Sequence, residues 1–300
     1  MQLVFSTALA VYIFDCAQGL LSRVLSPGSQ EYYGISACPQ GIVFSNSGFD
    51  NSTLISHADY LDEPKGYITM VNAQGCSVLG SELLQPHQIE CYGNWILCAN
   101  SGRNSITVIN PDSTIVHHYP TRSRFDILPD GSKANHFNSV HVRNEVVYVV
   151  AHNYLMPSTV WLFSWPDFVL INVIGTNTYT AHNVMQNEDD LLICNSGSCA
   201  IYSVAEKRDI WTLASDEFIT RGLAATPEFL FVGLTAKVSR GDRKNCDAGI
   251  CVLDRKNMQL VERYYFEGIG GIHEIRLLDQ EDECHSGSII AANYLPRIPC

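Results

Sequence analysis

The chain has 300 residues, of which 46% are hydrophobic and 17% charged, and its 31 acidic and 19 basic residues give a formal net charge of −12. This composition is typical of a folded globular chain and excludes an intrinsically disordered one. The negative charge excludes nucleic acid and anionic membranes as favoured partners, because both repel an acidic protein.

The segment Met1–Ala17 is apolar, like a signal peptide. A signal peptide carries basic residues ahead of its apolar stretch, whereas the first basic residue here is Arg23. The segment also has the pattern of two strands, Leu3–Leu9 and Val11–Phe14, and a third strand pattern follows at Leu20–Leu25. We predict that these residues belong to the fold, that no segment spans a membrane, and that the protein is cytoplasmic.

Eleven cysteines occur without the spacing of a disulfide framework. Cys91, Cys98 and Cys194 lie in strand-like apolar runs, where a free thiol behaves as a small hydrophobic group. The odd number favours reduced thiols in a cytoplasm over a disulfide scaffold. Cys246 and Cys251 could pair across a loop, but nothing in the sequence requires it.

A short phrase with Asn-Ser-Gly recurs directly after β-rich runs, at Ser45–Gly48, Ala99–Gly102 and Cys194–Gly197. Weaker copies of this unit follow the runs Val146–Val150, Phe229–Val232 and Ser288–Ala291. Each unit has the pattern of three or four short antiparallel strands, with a period of about 40–55 residues. Helical periodicity is almost absent, and the best helix candidate, Ala205–Ser215, alternates equally well as a pair of strands.

Six such units predict an all-β fold, with residues 1–300 forming a single β-propeller of six blades; five or seven blades also fit the spacing. The N-terminal strands should close the ring by completing the blade that begins near His273. Leu3–Ser6 and Ser288–Asn293 compete for one position in that blade. We interpret the repeated Asn as a turn residue that adopts left-handed geometry and bonds to nearby backbone, with ligand binding as the alternative.

Alignment of the units places one residue of each in a common column at the start of the innermost strand. The column consists of Tyr33, His87, Asn138, His182, Arg221 and His273, and His136 lies two residues before Asn138. The innermost strands of a propeller line its central channel, so these side chains should meet on the axis. We predict that they line a ligand-binding pocket.

Three interpretations of this pocket remain open. Imidazoles from different blades could bind a divalent metal, Zn, Fe or Mn, with the carboxylates of Glu90 and Glu274 fixing their tautomers. The candidate metal ligands are His87, His136, His182 and His273. Alternatively, a small anionic ligand binds without metal and Arg221 grips its carboxylate or phosphate. In the third interpretation the histidines only hold neighbouring loops together.

Three insertions interrupt the repeat. Asp50–Pro64 and Asp126–Asn135 are long and polar, and Ala236–Asp247 is basic and contains glycine. We expect the basic insertion to form a loop over one mouth of the channel, either as a solvated loop or as an anion-binding lid.

Several segments resemble a bacterial family of uncharacterised propeller-like proteins, the DUF4915 domain family. The resembling segments are His182–Val184, Leu191–Gly197, Phe218–Ala224, Phe231–Leu234, Gly249–Asp254 and Phe266–Gly268. His136–Asn138 also looks like the family's His-x-Asn, and Leu3–Thr7 looks like its opening strand. The resemblance implies a soluble protein with a propeller-type fold and implies no particular activity.

The sequence therefore predicts a propeller that binds a small molecule on its axis, and a metal-dependent lyase, hydrolase or oxygenase would fit this arrangement. No G-x-S-x-G, P-loop or dinucleotide motif selects a chemistry. The alternative is a non-catalytic scaffold that binds a protein partner through its rim loops. Ligand identity, catalysis and oligomeric state are left open by the sequence.

Overall fold

The computed structural model describes residues 1–26, 30–48, 66–110, 115–119 and 135–286, with only the backbone described for 115–119. Within these ranges, 24 strands form six antiparallel sheets of four strands each. The sheets are the blades of a β-propeller, so the predicted all-β fold and the six-bladed count are confirmed. Two of the three predicted insertions, 50–64 and most of 126–135, lie outside the described residues.

The strands follow one another with short turns. In chain order they are β1 (Gln2–Thr7), β2 (Val11–Asp15), β3 (Leu20–Leu25), β4 (Tyr32–Cys38), β5 (Gly41–Asn46), β6 (Gly66–Asn72), β7 (Gly75–Leu83), β8 (Pro86–Tyr92), β9 (Trp95–Asn100), β10 (Ser105–Ile109), β11 (Ile115–Tyr119), β12 (Phe137–Arg143), β13 (Val146–Ala151), β14 (Thr159–Ser164), β15 (Leu170–Gly175), β16 (His182–Asn187), β17 (Asp190–Asn195), β18 (Ala200–Ser203), β19 (Arg208–Thr212), β20 (Phe218–Ala225), β21 (Phe229–Ala236), β22 (Ala248–Asp254), β23 (Leu260–Phe266) and β24 (Ile272–Leu277).

Each blade is a meander of four strands. Blades I to V are β4–β7, β8–β11, β12–β15, β16–β19 and β20–β23, and blade VI has the strand order β24-β1-β2-β3. The first strand of each blade contacts the first strands of its neighbours, which makes β4, β8, β12, β16, β20 and β24 the innermost strands. Short 3₁₀ turns occur at Ser101–Arg103, Ser196–Ser198 and Arg240–Asp242.

Blade VI closes the ring with strands from distant parts of the chain. Strand β1 pairs antiparallel with β24, with Leu3 opposite Leu277 and Phe5 opposite Ile275. The prediction that the N-terminal strands complete the blade beginning near His273 is therefore confirmed. Strand β1 occupies the position for which two segments competed, and the other segment, Ser288–Asn293, lies outside the described residues.

The apolar core lies between adjacent blades. Where blades V and VI meet, the ring of Phe266 stacks on Phe5 with centroids 5.6 Å apart and contacts Phe14 edge-on at 5.1 Å. Phe5 and Phe231 are completely buried in the same cluster. Burial of about 150–250 Å² for each aromatic side chain makes such contacts the main stabilisation of the ring.

The repeated Asn has a structural role, although not the predicted left-handed geometry. Asn100 has φ −85° and ψ 77°, whereas the left-handed conformation belongs to Asn104, four residues later. The Asn100 side-chain oxygen accepts a hydrogen bond from the Leu84 N–H at 2.9 Å, and Asn195 does the same for Tyr179 at 3.3 Å. The amide therefore fixes the segment that leads into the first strand of its own blade.

The Ser that follows this Asn joins one blade to the next. The Ser101 hydroxyl donates to the carbonyl of Phe137 at 2.5 Å, and the Ser196 hydroxyl donates to the carbonyl of Thr220 at 2.6 Å. Each acceptor belongs to an innermost strand of the following blade. The copies at Ala99–Gly102 and Cys194–Gly197 recur because they make the same inter-blade contact. In the copy at Ser45–Gly48, the Ser47 hydroxyl accepts the Glu31 N–H of its own blade at 3.2 Å.

Other predicted elements can be compared directly with the structure. The apolar N-terminal segment forms β1 and β2, and the stretch Ala205–Ser215 contains the strand β19 and no α-helix. All ten described cysteines are free thiols, including Cys246 and Cys251. Among the described residues, no helix has the length and hydrophobicity needed to cross a bilayer.

Candidate functional site

Seven side chains encircle one end of the central channel, and we call them the axial ring. They are Tyr33, His87, His136, His152, His182, Arg221 and His273. Tyr33 stacks between His87 and His273, with centroids 4.3 Å apart on each side. The Arg221 guanidinium donates from Nη1 to Nδ1 of His273 at 2.8 Å.

Edge-on ring contacts continue around the other side of the channel. The centroids of His87 and His136 are 5.3 Å apart, those of His136 and His152 5.5 Å, and those of His152 and His182 5.3 Å. Arg221 completes the circle, because its charge helps lower the pKa of His182. Six of the seven side chains are aromatic, so packing holds the ring together.

The predicted column lies on the innermost strands, and all six of its residues line one small cavity on the axis. Five of the six belong to the axial ring. The sixth, Asn138, is held by other partners, because its amide donates to the Ala181 carbonyl at 2.9 Å and its oxygen accepts from Ser139 at 3.0 Å. Blade III instead contributes His136 and His152 to the ring. His152 follows the end of β13, and only the weak Ala151–Asn153 copy of the repeat marked it in the sequence.

β-Bulges turn these side chains towards the axis. In every innermost strand the pairing register with the neighbouring strand shifts at the level of the ring. The residues that the register omits at this shift include Tyr33, His87, Asn138, Asn183, Arg221 and His273. A bulge bends the strand and changes the direction of the extra residue. In blade IV the bulge falls on Asn183, next to His182.

Six of the seven ring residues line a cavity of about 300 Å³, and the seventh, His273, lines the adjoining one. The remaining lining residues are Gln85, Tyr154, Thr180, Ser196, Ile219, Arg240 and Arg243. An adjoining cavity of about 280 Å³ shares Arg221 and Arg243 and is also lined by Lys237. The insertion at 236–247 therefore supplies basic side chains to this mouth of the channel, and no acidic residue is among those lining either cavity.

Hydrogen bonds fix the protons of two ring histidines. Ser196 uses its one hydroxyl proton for the Thr220 carbonyl, so Nδ1 of His182 must donate to Ser196, 2.9 Å away. His182 then keeps an acceptor lone pair on Nε2. His273 is the opposite case, because its Nδ1 accepts from Arg221 and its proton lies on Nε2.

These histidines are neutral at physiological pH. Burial is the main cause that lowers the pKa of His182 and His273 well below 6.5, and the Arg221 charge lowers both further. Burial also lowers the pKa of Arg221 to about 10, which still leaves it charged at neutral pH. Arg221 thus carries positive charge at the ring, and His182 and His273 act as neutral hydrogen-bonding groups.

A buried carboxylate supports the ring from below, but it is not one of the two predicted. The Tyr33 hydroxyl donates to Oε2 of Glu31 at 2.9 Å, and the same oxygen lies 3.8 Å from Nε2 of His273. Glu90 and Glu274 lie deeper in the channel and contact other partners. The expectation that these two fix the ring tautomers is therefore wrong, because each is displaced along its strand from the histidine.

No metal-ligand set emerges from the axial ring among the described residues. Their one group with three potential ligand atoms within 4.8 Å of one another is Glu90, His141 and His285, outside the ring. Metal binding by His87, His136, His182 and His273 therefore stays a prediction. Neither His141 nor His285 was singled out in the sequence, where both looked like ordinary strand or loop residues.

Comparisons with known proteins identify the fold and no family. No family model and no curated protein matches the chain. A chain in the crystal structure of a nidogen/laminin complex is similar, with TM-score 0.65, 11% identity and coverage of 92% of this chain and 97% of that one. A protein of unknown function from Bacteroides caccae is similar as well, with TM-score 0.59, 12% identity and the same coverage. At such identities the likeness concerns the fold alone.

Proposed function

We propose that the axial cavity binds a small anionic ligand carrying a carboxylate or phosphate, with Arg221 as the principal contact. The observation that carries the proposal is the state of this arginine, whose side chain is buried in the channel wall. Among the described residues no carboxylate lies within 4.0 Å of its guanidinium. The charge of Glu31 favours the charged form of Arg221, but Glu31 accepts the Tyr33 hydroxyl and does not pair with the guanidinium directly. An anionic ligand would supply the direct partner that this buried cation lacks.

The surroundings of Arg221 support the same ligand class. Arg240 and Arg243 line the cavity beside it, and Lys237 lines the adjoining one. The protein as a whole has a net charge of −12, so this basic mouth is a local exception to an acidic chain. Such a concentration of positive charge attracts small anions and raises their association rate.

The neutral imidazoles would position the uncharged part of the ligand. His182 presents an acceptor lone pair at Nε2, so it suits a ligand hydroxyl or a protonated group next to the anion. Nδ1 of His152 accepts the Tyr154 N–H at 3.0 Å, so Nε2 carries the ring proton and can donate to a ligand. A volume of about 300 Å³ is at the lower end of the range for small-molecule sites.

The test is calorimetric titration of inorganic phosphate and of succinate at low ionic strength. Arg221→Met removes the proposed contact and keeps much of the side-chain volume. We expect roughly ten- to hundred-fold weaker binding of whichever probe binds, because one charge-assisted hydrogen bond is worth about 1.5–3 kcal/mol. Arg208→Met is the matched control, since Arg208 is exposed and pairs with Glu206 away from the channel.

Equal affinity in wild type and Arg221→Met would refute the proposal. Absence of binding of either probe by the folded wild-type protein would also count against it. The ionic-strength dependence gives a further check, because binding that depends on a basic mouth should weaken as salt screens the charges.

A second candidate function is protein binding through an outer strand. In β15, Leu170, Ile171 and Val173 are 48%, 55% and 40% exposed, which forms an apolar stripe on the rim of blade III. Such a stripe is typical of an interaction surface. Ile171→Asp should then abolish retention of a bound protein without changing phosphate affinity, and unchanged retention would exclude this surface.

A further inference from the structure

A second polar cluster lies deeper in the channel, beyond the axial ring. Glu90 and His141 each lie three residues beyond the predicted column residue of their strand, His87 and Asn138 respectively. A rise of about 3.3 Å per residue separates the two levels by roughly 10 Å. His285 joins the cluster from the segment that follows β24, and its Nδ1 lies 2.8 Å from Oε2 of Glu90.

The segment that carries His285 is held firmly against the channel. One carboxylate oxygen of Asp282 accepts the N–H groups of Ala225 and Cys284, at 3.1 and 3.0 Å, and the other accepts the Leu277 N–H at 3.0 Å. Both the N–H and the hydroxyl of Ser286 donate to Oε1 of Glu90, at 2.9 and 2.6 Å. His285 is thus positioned by its neighbours on both sides.

The hydrogen bonding of the cluster is incomplete. His141 is 1% exposed, its Nδ1 lies 3.7 Å from Oε1 of Glu90, and neither of its nitrogens has a hydrogen-bond partner. His285 instead has an acceptor next to each ring nitrogen, because its Nδ1 faces Glu90 and its Nε2 faces the Leu223 carbonyl at 3.4 Å. A neutral imidazole has one proton and cannot donate to both acceptors.

The charges around the cluster do not balance. Glu90, Glu274 and Asp282 are buried carboxylates, and the fully buried Arg276, which donates to Glu274, is the cation among them. An excess of buried carboxylates over buried cations is costly, and a bound metal cation would offset it.

We propose that Glu90, His141 and His285 bind a divalent transition metal, Zn²⁺ or Fe²⁺. Two imidazoles and one carboxylate form a donor set that both ions use in proteins. Bonds of about 2.0–2.2 Å place neighbouring ligand atoms roughly 3.0–3.5 Å apart. Nδ1 of His285 lies 2.8 Å from Oε2 of Glu90, and Nδ1 of His141 lies 3.7 Å from Oε1 of the same carboxylate. Each of the three residues offers one ligand atom, and these atoms all lie within 4.8 Å of one another, so small side-chain movements would bring them to a common metal.

A bound metal accounts for each irregularity of the cluster. It binds the lone pair of one His141 nitrogen. It also lies between Nδ1 of His285 and Glu90, where the neutral imidazole has no second proton to donate. The Leu223 carbonyl then accepts the Nε2 proton of His285, and Ser286 orients the carboxylate, as groups around metal ligands commonly do. This proposal is independent of the anion site, which uses other side chains at the other level of the channel.

The test is the metal content of untagged protein purified without chelator, measured by inorganic mass spectrometry, followed by chelation and titration with ZnCl₂ and, anaerobically, with Fe²⁺. We expect about one equivalent per chain. His285→Ala and Glu90→Gln should each weaken Zn²⁺ binding by more than about a hundred-fold, and Ser286→Ala by about ten-fold. Co²⁺ in place of Zn²⁺ adds a visible absorption band, which His285→Ala should abolish.

His182→Ala is the matched control, because it removes a histidine of the axial ring and leaves this cluster intact. Retention of the metal in His182→Ala and its loss in folded His285→Ala supports the proposal. Circular dichroism and the melting temperature establish folding, and Glu90→Gln provides an isosteric variant if His285→Ala is unstable. A folded wild-type protein that binds neither Zn²⁺ nor Fe²⁺ would overturn the proposed metal site. Loss of the metal in His182→Ala together with its retention in His285→Ala would also overturn it.

Discussion

Gly34 lies at a close approach of blade I to blade II, directly after the ring residue Tyr33. A Cβ atom at Gly34 would lie 2.6 Å from the nitrogen of Ile89, 2.8 Å from Cα of Gln88 and 2.8 Å from the carbonyl oxygen of His87. All three atoms are backbone atoms of β8, so no side-chain rotation can relieve the overlap. Gly34→Ala must therefore move the two blades apart.

The expected loss follows from this geometry. Overpacking costs about 1–3 kcal/mol, and three backbone overlaps place Gly34→Ala near the upper value. With an unfolding entropy of about 2.1 cal/mol/K per residue, a chain of 300 residues changes by about 0.6 kcal/mol per degree. A cost of about 3 kcal/mol should then lower the melting temperature by about 5 °C.

Thermal unfolding followed by circular dichroism measures this shift. Gly175→Ala is the matched control, because a Cβ there meets no atom within 4 Å and its backbone is not left-handed. The control should melt at or slightly above the wild-type temperature, since alanine reduces the entropy of the unfolded chain. A Gly34→Ala protein that melts within about 1 °C of wild type would refute the argument that blade contact at this glycine is rigid.

Three further predictions concern single groups. Tyr33→Phe should cost about 1.5–3 kcal/mol in urea unfolding, because Glu31 loses the donated hydroxyl proton; an unchanged midpoint would contradict this. Burial lowers the pKa of His273 well below 6.5, so below pH 6.5 only the unfolded chain protonates this imidazole. The free energy of unfolding should therefore be highest above pH 6.5 and should decline by up to about 1.4 kcal/mol per pH unit below it. This slope should flatten in His273→Gln. A hydrogen bond from Cys91 lowers the pKa of Cys38 to about 6, so the rate of Cys38 alkylation by iodoacetamide should no longer increase above pH 7. A tenfold increase of this rate from pH 7 to 8 would exclude the lowered pKa.

The repeat could be recognised in the sequence because two of its strongest copies have the same physical cause. The serines that follow Asn100 and Asn195 each bridge to the next blade, so the same residues recur wherever the same contact recurs. The phase of the repeat then located Tyr33, His87, His182, Arg221 and His273 on the axis. Local pattern was sufficient here because all six blades share one geometry.

The remaining site residues could not be found in this way. A bulge in each innermost strand breaks the alternation of side chains, so the direction of Glu90 and Glu274 could not be inferred from their distance to a histidine. His285 contacts Glu90 across 195 residues of sequence, from a segment outside the repeat. Contacts of this kind join side chains that are far apart in the sequence, and no local pattern specifies them.

The strand that closes the ring also contributes side chains to both the axial ring and the deeper polar cluster of the channel. Strand β24 brings His273 to Tyr33 and Arg221, and it brings Glu274 and Arg276 to the deeper level, while β1 pairs along its edge. During synthesis, a chain that has formed blades I to V has neither a finished cavity nor a finished polar cluster. Both proposed sites therefore depend on a strand that is made late in synthesis, and we expect a chain truncated before residue 272 to bind neither phosphate nor Zn²⁺.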